Sequence, residues 1–180
     1  MGYSISWLAV RGLTKDEILA RLHLGDTGEV DEANEAPVSG AELPTGWYAL
    51  FLNDFTHPFL GPRALQNLSK GCAVVGCQVE EHVMVSASFY YIDGRHAWTL
   101  THESEKGIKH LELHGATPGF LAELHAAGLK RQDEEGGEGA AVDYIFEVPL
   151  EAAERVCGYR HDRWKFDWGQ PKFTELVNSA

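Results

Sequence analysis

Histidine beside carboxylate is the pairing from which proton-transfer sites are built, and this chain offers it more than once. Glu80, Glu81 and His82 are consecutive. Glu81 falls in a row of otherwise apolar alternating residues, where loss of water would raise its pKa towards the range of a general acid. His96 and His102 flank Trp98 and Leu100 on one alternating segment and are the histidines available to work with it. Glu81, His82, His96 and His102 are therefore the candidate catalytic set, for a hydrolase or isomerase acting on a small molecule. No nucleophile accompanies them in a recognisable spacing, so the set does chemistry only if folding gathers it into one cleft.

His110, Glu112 and His114 also alternate, which places all three on one face of a strand. Same-face neighbours are about 6.6 Å apart, so the two histidines stand about 13 Å apart and one ion cannot bridge them. No metal site and no cofactor is expected. Together with Ser86, Ser88, Tyr90, Thr99 and Thr101, these residues make a face of short hydroxyls and polar rings, suited to a small ligand or a protein partner. A third feature is Tyr159 to Trp168, where aromatic and charged residues interleave. Asp162 and Asp167 there nearly offset the basic residues, so packing of Trp164, Phe166 and Trp168 onto the domain is expected ahead of nucleic-acid stacking.

Charge narrows the partners. The 180 residues carry a net charge of −12. Residues 22–62 hold seven acids and no Lys or Arg, and residues 132–158 hold eight acids against Arg155 alone. A chain without a clustered basic face is a poor nucleic-acid binder, and no run approaches the length of a membrane helix. A basic protein partner or a small ligand fits better. Cys72, Cys77 and Cys157 are odd in number and sit in segments patterned as strand and helix, so buried, reduced thiols are expected. The opening residues have no basic and apolar leader pattern, which makes the cytoplasm the expected location.

The elements that would position these residues follow from local signals. Tyr3, Ile5, Trp7 and Ala9 alternate into a first strand. Thr14 and Glu17 form a capping box for a helix over about 15–24. Residues 25–46 are acidic, lack a period and read as a long loop. Trp47–Asn53 reads as a strand, and Pro62 opens a short helix over 63–70. Residues 73–91 alternate for too long to be one ordinary strand, so they form either one long bent strand or two strands broken near Glu80, Glu81 and His82.

Asp93-Gly94 is a type I′ hairpin signal that sets Tyr91 against His96, Phe89 against Trp98 and Val85 against His102. A turn over 104–107 then sets Leu100 against Leu111. Thr117 and Pro118 start a helix running to about Lys130, residues 132–140 form a flexible acidic and glycine-rich loop, Val142–Val148 alternates as a strand, and a last helix runs from Pro149 to Gly158.

The expected fold is a single α+β domain over 1–180. It has a mainly antiparallel sheet of about five to seven strands, helices chiefly on one face, and a three-stranded meander at about 83–115. The leading functional expectation is a non-enzymatic binding protein, of the kind that acts as an acidic inhibitor or immunity protein masking a basic partner. The Glu/His enzyme and a small-ligand sensor on the Ser/Thr face are the alternatives.

Overall fold

The computed structural model describes residues 2–179. In chain order the elements are β1 (Ser4–Arg11), α1 (Lys15–Leu22), β2 (Leu24–Val30), β3 (Val38–Glu42), β4 (Tyr48–Leu52), α2 (Pro62–Leu68), β5 (Ala73–Glu80), β6 (Val85–Ile92), β7 (Arg95–Glu103), β8 (Glu112–Gly115), α3 (Gly119–Glu134), α4 (Glu147–Cys157) and β9 (Thr174–Asn178). The fold is α+β. Its nine strands form one open antiparallel sheet in the order β2-β9-β3-β4-β1-β5-β6-β7-β8.

The central strands show why the sheet is covered on both sides. Trp7, Leu8, Ala9 and Val10 are all buried on β1, as are all five residues of β4. Successive side chains on a strand point to opposite faces, so a continuous apolar run needs cover above and below. On one face α1 and α2 bring Ile18, Leu19, Leu65 and Leu68 against Leu8, Val10, Leu50 and Val74. On the other, α4 lays Leu150, Ala153 and Cys157 against Trp7, Ala49 and Val75, with Tyr159 and Phe173 beside them. A third cluster joins Trp98 and Leu100 of β7 to Leu121 and Leu124 of α3 and to Val148 and Ala152 of α4. Helices therefore lie on both faces, correcting the expectation of one covered side.

Local signals acted where they were strong. Thr14 and Glu17 exchange both bonds of the capping box, while the helix ends one residue beyond Leu22 on His23 in a left-handed conformation. The expected loop over 25–46 instead holds β2 and β3, and the aromatic tail yields β9, which brings the strand count above the expected five to seven. Residues 142–146 are not a strand: Asp143 Oδ1 accepts from the Ile145 and Phe146 amides and closes a turn just ahead of α4, which replaces alternation. Cys72 lies in the core with α1 and α2, whereas Cys77 and Cys157 share the opposite one.

One irregularity rearranges the hairpin. Tyr91 pairs with His96 as the Asp93-Gly94 turn dictates, but Tyr90 then pairs with Trp98, leaving Ala97 as an extra residue on β7. A bulge of one residue turns every later side chain of that strand over. Ser88 consequently opposes Leu100 and Ser86 opposes His102. Leu100 pairs with Leu113, two residues beyond the expected Leu111. The two edges of the sheet are β2, whose pairing with β9 is broken between Asp26 and Val30, and β8, four residues long.

Candidate functional site

The hydroxyl and polar-ring face divides in two because of the Ala97 bulge. Ser86, Ser88 and Tyr90 share a side with Trp98, Leu100 and His102, facing α4. Ser86 Oγ donates to the Phe146 carbonyl at 2.8 Å, and Ser88 Oγ is buried with no partner. Thr99, Thr101, Glu112 and His114 lie on the opposite side, paired with one another across β7 and β8. His110 precedes β8: its Nδ1 accepts from the Glu103 amide at 3.0 Å, which leaves Nε2–H to donate to Glu112 Oε1 at 3.1 Å. Lys106 also bonds Glu112, and these two donors hold that carboxylate below its usual pKa.

The four candidate acid and base residues are dispersed along the hairpin. Glu81 and His82 sit in the turn joining β5 to β6, whereas His96 stands at the far end of β6, next to the 93–94 turn. Eight residues of extended chain, about 26 Å, separate the two ends. Glu81 Oε2 accepts from the Tyr3 amide at 2.9 Å and the Glu81 amide returns a bond to the Tyr3 carbonyl, so Glu81 fixes the backbone of Tyr3. His82 Nδ1 bonds Glu80 Oε1 at 2.7 Å, and His96 Nε2 meets Thr99 Oγ1 at 2.7 Å.

His102 is fully buried. Its Nδ1 reaches the His110 carbonyl at 2.7 Å and its Nε2 reaches Asp143 Oδ2 at 2.9 Å. A carbonyl only accepts, so Nδ1 carries a hydrogen, and a further proton lies between Nε2 and the carboxyl group. The other oxygen of Asp143 holds the turn just ahead of α4. This arrangement ties β7 to α4 and has no free ring position for a substrate. Among the described residues no three His, Cys, Asp or Glu side chains are grouped to hold a metal ion, and no helix is long and apolar enough to cross a membrane.

The most developed concavity lies elsewhere, in the aromatic segment that follows α4. Tyr159 stands edge-on to Trp7 at 5.1 Å and contacts Phe173, which roots the segment in the core. Phe166 and Trp168 stack on each other at 4.6 Å. Trp164, expected to pack with them, is instead 73% exposed. Between this segment and the loop after β2 is a cleft of about 790 Å³, whose lining includes Tyr3, Val30, Glu32, His161, Asp162 and Trp164.

His161 forms part of that lining although only 7% of it is exposed. Neither ring nitrogen has a hydrogen-bond partner; of six unpartnered buried side-chain polar atoms among the described residues, His161 alone contributes two. Burial pushes its pKa down to about 4, in spite of the nearby Asp162, so the ring is neutral at pH 7. Tyr3 stands edge-on against the imidazole, ring centres 4.7 Å apart.

Around this ring the cations are already engaged. Arg160, itself buried, donates to Glu147 at 2.5 Å and to both oxygens of Asp162 at 2.6 and 2.9 Å. Burial opposes the charge of Arg160, but the two carboxylates outweigh it and hold the guanidinium protonated. Arg163 donates to Glu154 at 2.5 Å. The charged residues that line the cleft, Glu32 and Asp162 against Arg163 and Lys172, balance one another, within a chain of net charge −12.

The chain thus belongs to the α+β class, an open antiparallel sheet carrying helices on both faces, with a cleft at one aromatic segment. Comparison with protein-family models, with curated proteins and with solved structures returns no match.

Proposed function

We propose that the protein is a binding protein without catalytic activity that uses the cleft at Tyr3, His161 and Trp164 to dock a basic protein, in the manner of an inhibitor or immunity protein masking its partner. The observation that carries this reading is Trp164, 73% exposed at the rim of a cleft of about 790 Å³. A large aromatic ring held in water gains most when a partner covers it, and tryptophan is enriched among the residues that dominate interface energy. Val30, 68% exposed, lies on the same rim and extends the apolar contact. The charge of the whole chain selects and steers a partner of opposite sign.

The test is capture of partners from cell extract by the wild-type chain and by Trp164→Ala, at low and at about 0.5 M salt, where the Debye length falls below about 5 Å. The reading expects basic proteins, identified by mass spectrometry, that are lost both with the variant and at high salt. Retention of the same proteins by Trp164→Ala, or a partner set indifferent to salt, overturns it.

A further inference from the structure

We infer that the cleft is an arginine-side-chain subsite: Tyr3 and Trp164 flank a guanidinium, the Glu32 carboxylate opposes its charge, and a ring nitrogen of His161 accepts one of its hydrogens. This rests on the reading of the cleft as the docking place for a basic partner and names the chemical group that enters it.

Three independent features converge. First, His161 is a buried polar ring with two unpartnered nitrogens on the wall of a cleft. Native proteins leave few buried polar atoms unpaired, because each loses its bonds to water without replacement, so a group that pairs with this ring on binding removes a standing penalty. Second, a neutral imidazole presents one bare nitrogen, which accepts a hydrogen from a donor and repels an anion's lone pairs. Of the cations at the cleft, Arg160 and Arg163 are bonded to Glu147, Asp162 and Glu154, which leaves Lys172 on the rim with Glu32. Third, the walls are aromatic. Guanidinium is planar, weakly hydrated and stacks on tryptophan and tyrosine faces better than ammonium does.

The same geometry supplies a gate. Both ring nitrogens of His161 are shielded, and Tyr3 leans on the ring. Tyr3 lies just ahead of β1 and is 41% exposed, so its ring can tilt off the imidazole and still line the cleft. Its backbone stays where Glu81 pins it. Glu81 is thus a positioning residue for the cleft, acting through Tyr3.

The probe is N-acetyl-arginine amide, with N-acetyl-citrulline amide as its uncharged shape match and N-acetyl-glutamate amide as the anion. Titration to about 20 mM is followed by calorimetry and by the imidazole 15N resonances of His161, a range that registers affinities down to the millimolar. The expected result is binding of the arginine probe with a shift at His161, and at least about tenfold weaker binding of the citrulline and glutamate probes. His161→Phe, which keeps a ring but has no acceptor, should weaken the arginine probe by about tenfold while thermal stability is retained. Trp164→Ala should weaken it comparably, with the His161 resonances of the free protein unchanged.

Equal binding of citrulline, preference for the glutamate probe, full binding by His161→Phe, or no binding at all overturns the subsite. If the arginine probe fails while basic partners are still captured in a salt- and Trp164-dependent way, the subsite falls and the docking reading stands. If capture is indifferent to salt and to Trp164, the docking reading falls first.

Discussion

His102 and His161 are both buried histidines next to an aspartate, yet they are opposite kinds of site. At His102 both nitrogens are occupied, by the His110 carbonyl and by Asp143, and Asp143 spends its other oxygen on the turn just ahead of α4. At His161 neither nitrogen has a partner and the neighbouring Asp162 turns its oxygens to Arg160. Burial alone does not distinguish a structural histidine from an available one. Counting donors and acceptors does, because a saturated ring stabilises the fold whereas an unsaturated one costs stability until something binds.

The largest effect that would test this contrast is on the saturated side. His102→Ala should lower unfolding free energy by about 3–5 kcal/mol, since it strands the carboxyl group of Asp143 in the core as well as opening a cavity. Chemical denaturation measures it, and a loss under about 1 kcal/mol would show that the pair does not tie β7 to α4.

On the other side the expected signature is pH dependence. In the unfolded chain a histidine takes up a proton below about pH 6.5. Folded His161 resists protonation down to about pH 4. The unfolded state therefore binds more protons across that window, so this residue's contribution is intact above pH 6.5 and is lost as pH falls, by about 2–3 kcal/mol near pH 4.5. His161→Gln should lack that component. Parallel pH profiles of the two proteins would refute the assignment.

A smaller effect calibrates both. Thr14→Ala removes one side of the capping box of α1, remote from either histidine, and should cost about 1 kcal/mol at any pH near neutrality. Smallest of all, Trp164→Ala should change stability by less than about 0.5 kcal/mol, because the ring is 73% exposed. A greater loss would mean that Trp164 packs in the folded protein and is no open docking surface.

How far each region could be read from sequence follows from the range of the interactions involved. The capping box at Thr14 and Glu17 and the turn at Asp93-Gly94 are local, and the chain folds accordingly, while the choice open over 73–91 falls to two strands, Ala73–Glu80 and Val85–Ile92. Ala97 is the counter-example. Nothing in its type marks a bulge, and one unpaired residue was enough to send Ser86 and Ser88 under α4 and Thr99 and Thr101 to the other side.

The runs at 7–10 and 48–52 did carry a legible sign of double cover, since alternation is absent there. The polar segments Val38–Glu42 and Thr174–Asn178 carried little sign of a strand, because their pairing is supplied by distant partners. For the cleft, the interleaved aromatics of 159–168 were a usable signal. That one of them would stay in water, and that His161 would find no partner, depends on contacts with Tyr3 from the opposite end of the chain.

The open sheet leaves two flanks of backbone that could recruit further strands. Along β2 the ladder is interrupted between Asp26 and Val30, and β8 offers only four residues, with Glu112 among them. A short or irregular border with charge on it makes a poor template for another copy. So wide a pleated surface therefore offers another copy little border along which to extend the ladder.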